Sequence, residues 1–192
     1  MKMAGVVLAG GRSSRFGKPK MFEIHNGKAF YEHSLDALKF NQLSPLVIST
    51  NEELVQQFQR EDVRLIVEKE SASYQGPLYA IHNVMSSMDS AEWFFILSCD
   101  IPFVTNEFVS EMISFAQDSE ADAVVPVQGG RIQPLMALYH KRTMPSFEKM
   151  LAADEHKLAH LLNELHVLTI PFSEDDAAFI NINHAKDWNT DY

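Results

Sequence analysis

The residues with the greatest chemical reach stand together near the start of the chain, in LAGGRSSRFGKPK. Gly10 and Gly11 are adjacent, Ser13 and Ser14 follow, and Arg12, Arg15, Lys18 and Lys20 crowd four positive charges into one loop. Glycine lets the backbone reach positive φ and approach a ligand closely. Successive N–H groups of such a turn can form an anion nest, and the bases add mobile positive charge. The chemistry that suits this pattern is the grip of a phosphate chain. A P-loop keeps four residues between its first Gly and its Gly-Lys-Ser/Thr end. Here five residues separate Gly11 from Gly17, and Lys18 is followed by Pro19, which has no hydroxyl. The GxGxxG dinucleotide fingerprint is absent as well. This is a third type of loop, with a glycine turn carrying solvated bases as the plainer alternative.

A second chemical residue follows the run WFFILSC: Asp100, with Ile101 and Pro102 behind it. Ligands of open α/β sheets bind outside the carboxyl ends of the strands. At such a place Asp100 is a hard oxygen ligand for magnesium, which takes one or two carboxylates and completes its shell with substrate phosphates. The alternative is structural, because Asp before Xaa-Pro also starts turns.

The elements that must position these residues alternate along the chain. Strands are predicted at Met3–Ala9, Leu46–Thr50, Arg64–Val67, Trp93–Ser98, Ala123–Pro126, Leu135–Tyr139 and His166–Ile170. Helices are predicted at Phe30–Phe40, Glu52–Gln59, Pro77–Ser87, Asn106–Gln117, Pro145–Leu151 and Lys157–Leu162. GVVLA and WFFIL are apolar throughout, the mark of strands covered on both faces. The expectation is a three-layer, Rossmann-like, doubly wound and mostly parallel α/β sheet. The regular alternation blurs after Gly129, which points to an antiparallel element near Leu135–Tyr139. Thr105 suits an N-cap, and Pro77 suits a first helical turn after Gly76.

Bulk properties narrow the function. The chain has 192 residues, 46% hydrophobic and 22% charged, as expected of one globular domain spanning 1–192. Its 26 acids against 16 bases leave a formal charge of −10, which argues against nucleic acid as a partner. The single cysteine, Cys99, cannot form an intramolecular disulfide or a cysteine-based zinc site, and it suits packing and a reducing cytoplasm. MKMAGVVLAGGR reads as a first strand rather than a signal peptide, and no apolar stretch approaches the length of a membrane span. His156 and His160 lie four apart but lack the HExxH order, so solvated histidines are expected. Leu35, Leu38, Met112 and Phe115 are expected in the core.

Taken together, GVVLAGGRSSRFGKPK, LSCDIPFV, QGPLYAI, RIQPLMALYH and FININHAKDW resemble, in order and at compatible spacing, the molybdenum cofactor guanylyltransferase family. The opening alone is also similar to cytidylyltransferases and sugar-nucleotide enzymes. The resemblance implies a nucleotide-diphospho-sugar-transferase-like fold. It also implies transfer of GMP from GTP to molybdenum-molybdopterin, with Mg2+ as cofactor and pyrophosphate as product. Passing contact with molybdopterin-delivering proteins or molybdoenzymes fits a labile acceptor. By the same resemblance Leu8, Ala9, Gly10 and Gly11 contact the nucleotide through their backbone. Lys20 and Arg15 face its phosphates, and Asp100 binds both nucleotide and metal. Gly76, Pro77, Asn181 and Asn183 fall at substrate-side positions. The family's guanosine-contacting Asp is replaced by Lys69, which leaves its neighbours Glu68 and Glu70 as stand-ins, and Tyr79-Ala80 replaces the usual Ala-Gly. Two other functions compete: a CTP-dependent cytidylyltransferase acting on a pterin or isoprenoid phosphate, and a non-catalytic nucleotide-binding protein.

Overall fold

The computed structural model describes residues 1–11, 18–69, 75–117 and 119–182. Ten strands and five α-helices follow one another along them. The strands are β1 (Met3–Leu8), β2 (Ile24–His25), β3 (Lys28–Ala29), β4 (Leu46–Asn51), β5 (Arg64–Glu68), β6 (Trp93–Ser98), β7 (Ala123–Gln128), β8 (Arg131–Ile132), β9 (Leu138–His140) and β10 (Val167–Phe172). The helices are α1 (Phe30–Phe40), α2 (Pro77–Ser86), α3 (Asn106–Gln117), α4 (Met144–Ala152) and α5 (Leu158–Leu162).

The main sheet runs β10-β7-β9-β6-β1-β4-β5, with β8 paired to β7. β1 is parallel to both β4 and β6, β4 is parallel to β5, and β7 is parallel to β10. β9 is antiparallel to both β6 and β7, so it is the inserted element that the blurred alternation announces. From β1 the chain winds outward to β4 and β5, then crosses back to place β6 on the other side of β1. That reversal is a topological switch point, where the loops leaving the carboxyl ends of adjacent strands diverge and open a crevice.

The apolar strands serve two cores at once, since successive side chains point to opposite faces. Trp93, Phe95 and Leu97 enter one core with Leu35, Leu38 and Met112; Phe94 and Ile96 enter the other with Leu78, Ile81, Phe147 and Leu161. Helices α1 and α3 therefore cover one face, and α2, α4 and α5 the other. Helix starts follow local chemistry. Thr105 Oγ1 accepts the Phe108 N–H at 3.1 Å, and the Glu32 carboxylate accepts the Ala29 N–H at 2.8 Å. Gly76 takes φ +84° so that Pro77 can open α2.

Several expectations need correction. Glu52–Gln59 holds only a 3-10 turn at Val55–Gln57. Asn51 Oδ1 captures the Leu54 N–H at 3.0 Å, and Phe58 leaves helical geometry to pack on Phe22 and Tyr31. The strand expected from Leu135 starts at Leu138, because Gln133–Met136 first closes a turn. Two hairpins, β2–β3 and β7–β8, were too short for periodicity to reveal, although Asn26-Gly27 and Gly129-Gly130 carry the positive φ values of tight hairpin turns. Phe115 is exposed rather than part of the core. His156 precedes α5 instead of sharing its face with His160, and each histidine pairs with an acid of its own, Asp154 and Glu155. Among the described residues no helix is long and apolar enough to cross a membrane.

Gly5 is the point of closest approach between β1 and α1. A Cβ there would stand 3.0 Å from Leu38 Cβ and 3.0 Å from Leu46 Cδ2. Gly5→Ala should therefore destabilise the fold by about 1–3 kcal/mol through overpacking, read as a lower chemical-denaturation midpoint with an unchanged slope.

Candidate active site

The first loop leaves β1 with its backbone already fixed. The Leu8 carbonyl accepts the Cys99 N–H at 3.2 Å, and the Ala9 N–H donates to the Ser49 carbonyl at 2.8 Å. The Ala9 carbonyl then accepts the Thr50 hydroxyl at 3.1 Å, and the Gly10 carbonyl accepts Asn51 Nδ2 at 2.9 Å. In a trans peptide the C=O and the following N–H point in opposite directions. The N–H groups of Gly10 and Gly11 are thus turned away from the Thr50 and Asn51 side chains. The polar end of β4 acts as a template that aims loop amides.

Glu68, at the end of β5, lies under this loop and is buried. A Cβ on Gly10 would come within 3.1 Å of Glu68 Oε1, close enough that the carboxylate would have to give by a few tenths of an ångström. The Ser49 hydroxyl donates to its carboxylate at 3.5 Å. Burial raises its pKa above the ordinary glutamate value, and the Ser49 bond offsets this only in part. Lys69 is exposed beyond the strand end, while Glu70 lies outside the described residues. Of the acids flanking Lys69, Glu68 is therefore the one seen to face the glycine loop.

On the other side of β1, Asp100 follows β6. Its Oδ1 accepts the Ser98 hydroxyl at 2.5 Å, and its Oδ2 takes the Lys20 ammonium at 2.7 Å. Both side chains are largely buried, with 14% of Lys20 and 12% of Asp100 exposed, so the pair is weakly screened by solvent. Lys20 reaches it from a 3-10 turn, Lys20–Phe22, packed against α1. The main chain of Ile182 closes the arrangement: its N–H donates to the Asp100 carbonyl at 3.0 Å, and its carbonyl lies 3.3 Å from Lys20 Nζ.

The residues singled out from sequence thus divide clearly. Lys20 and Asp100 meet, and Leu8–Gly11 lie on the same rim. Gly76 and Pro77 open α2 after β5. Asn181 is exposed beside Ile182. Arg15 and Asn183 lie outside the described residues. Ser49, Thr50, Asn51, Ser98 and Ile182 had escaped notice. The polar ending of LVISTN was a usable signal, whereas Ile182 contributes only backbone and left none. Cys99 is buried, and burial together with the Asp100 charge pushes its thiol up to about 12, so it packs rather than reacts.

The model of the MobA-like NTP transferase domain matches residues 5–168. The chain belongs to this family. It is 36% identical over 192 residues to a probable molybdenum cofactor guanylyltransferase of Geobacillus sp. (strain WCH70), covering 98% of this chain and 97% of that protein. A protein of the same description from Halalkalibacterium halodurans is 36% identical over 188 residues, covering 95% and 94%. The crystal structure of molybdopterin-guanine dinucleotide biosynthesis protein A from Archaeoglobus fulgidus superimposes with a TM-score of 0.77 at 22% identity, covering 96% of this chain and 94% of that one. The fold is that of the nucleotide-diphospho-sugar transferases, and the chain is a nucleotidyltransferase.

MobA-like nucleotidyltransferases generally depend on a divalent metal. Among the described residues no three His, Cys, Asp or Glu side chains gather as a preformed metal cage. Asp100 offers one hard carboxylate oxygen pair at the rim. That donor chemistry fits a cation whose remaining ligands are phosphate oxygens and water, the habit of magnesium.

Because the folded pKa of Glu68 is raised, its protonated form is favoured in the native state. Its contribution to stability is greatest below the ordinary glutamate value and is lost as pH rises through the folded pKa. Glu68→Gln removes this loss. Its Tm should exceed the parent's near neutral pH, and the difference should shrink as the pH is lowered below the ordinary glutamate value.

Proposed function

We infer that this chain transfers GMP from GTP to molybdenum-molybdopterin, forming the molybdopterin guanine dinucleotide cofactor and releasing pyrophosphate. We take magnesium as the ion and residues 1–192 as one nucleotidyltransferase unit working in the cytoplasm. The observation that carries the chemistry is the Lys20–Asp100 contact at 2.7 Å, set at the switch point between β1 and β6 beside the Leu8–Gly11 loop.

The attacking atom is an oxygen of the acceptor's terminal phosphate. It forms a bond to the α-phosphorus of GTP, while the bond from that phosphorus to the bridging oxygen breaks and its electron pair leaves with pyrophosphate. A phosphate is already ionised near neutral pH, so no protein base or nucleophile is needed. The barrier lies in bringing two anions together and in the charge that builds on the leaving group. Asp100 holds the metal ion, which supplies charge neutralisation and Lewis-acid polarisation of phosphate oxygens. Lys20, with Arg15 and the amides of Gly10 and Gly11, binds the phosphates and stabilises the leaving charge, while Leu8 and Ala9 border the nucleotide with their backbone. Holding both substrates in line supplies much of the rest. Glu68, with Lys69 beyond it, lines the nucleoside side. Gly76, Pro77, Asn181 and Asn183 face the acceptor, and delivery by a transient protein partner suits such an acceptor.

Pyrophosphate release should require GTP and molybdopterin together, with CTP a poor replacement. Asp100→Ala should lower that release by at least about 10²-fold, and Lys20→Met by about 10²–10³-fold, with far-UV circular dichroism unchanged. Turnover near that of the parent in a folded Asp100→Ala protein would remove the metal role assigned to this carboxylate.

A further inference from the structure

We propose that Ile182 is a positioning residue that keeps Lys20 at the phosphate site when Asp100 turns to a metal ion, an inference resting on the transferase reading above. The basis is a closed ring of contacts. Lys20 Nζ lies 2.7 Å from Asp100 Oδ2 and 3.3 Å from the Ile182 carbonyl, and the Ile182 N–H returns to the Asp100 main chain at 3.0 Å. One residue therefore touches both halves of the ion pair through its backbone.

The side chain of Ile182 explains how that backbone is held. It is 1% exposed and packs with Phe30, Phe103 and Ile180. Residues 180–182 belong to no strand, so the sheet does not fix them. Their anchors are this apolar cluster and the preceding Ala177–Phe179 turn, which Asp176 caps by accepting the Ala178 N–H at 2.9 Å. Ile182 is a peg, and the peg sets where its carbonyl points.

Asp100 and the Ile182 carbonyl respond differently to a metal. Asp100, once it ligates a cation, loses most of its hold on the ammonium, because the positive charges repel. The Ile182 carbonyl is neutral and keeps its attraction. An ammonium has three donors. One stays on Ile182 while the others swing to the nucleotide phosphates, so Lys20 changes partner without leaving the site.

Calorimetric titration with GTP and magnesium, without acceptor, tests this through a double-mutant cycle. Ile182→Ala should weaken GTP binding about five- to tenfold, and the same change made in Lys20→Met should weaken it less than about twofold further. A purely structural role predicts equal losses in both backgrounds, and that result would overturn the proposal, as would unchanged binding in a folded Ile182→Ala protein. If Ile182→Ala melts below the assay temperature, Ile182→Val carries the same cycle, with a loss of about two- to threefold expected against the parent and none against Lys20→Met. Absence of GTP binding by the parent protein would instead sink the transferase reading itself.

Discussion

A lysine and an aspartate eighty positions apart share a contact of 2.7 Å at the rim of the sheet, and each is mostly withdrawn from water. Such a pair persists only where other groups complete its hydrogen bonding, since desolvation otherwise outweighs the attraction. The Ser98 hydroxyl does this for the carboxylate, and the Ile182 carbonyl does it for the ammonium. The result is a preorganised cation and anion in a chain whose formal charge of −10 would otherwise repel a triphosphate. Local charge, held in place, overrides the net field.

The sheet order makes the contact possible. Asp100 could have followed any strand; it matters that β6 lies beside β1 and runs the same way, so that its carboxyl end opens onto the loop that leads to Lys20. Both strands are covered on both faces, and that burial fixes their register. β9 between β6 and β7 extends the same rim, and the Leu135 carbonyl accepts the Ser98 N–H at 2.9 Å, steadying the end of β6 from the far side.

The glycine loop follows a different physical rule, that of close approach. Gly10 lies so near Glu68 that a methyl group would press on the carboxylate, and the Thr50 and Asn51 side chains turn the loop carbonyls inward. A buried carboxyl is costly to ionise, which is the cause of its raised pKa. The acid that is buried beside the loop is Glu68, one residue before the exposed Lys69, where strand alternation turns the side chain inward.

Much of this was written in local sequence. The apolar runs GVVLA and WFFIL announced buried parallel strands, five of the six expected helices stand within a residue of their predicted bounds, and Thr105 and Gly76-Pro77 marked helix starts because capping depends on near neighbours. The chemistry of LAGGRSSRFGKPK and of Asp100 was likewise visible as residue type and spacing. Local signals failed where packing or single backbone bonds decided: Phe58 left its predicted helix to reach Phe22 and Tyr31, and Asn51 spent its side chain on Gly10 and Leu54. The meeting of Lys20 with Asp100, the burial of Glu68 rather than Lys69, and the backbone ring through Ile182 belong to tertiary structure alone. They join residues far apart in the chain, and hydrogen bonds from main-chain groups carry no residue type that a sequence could display.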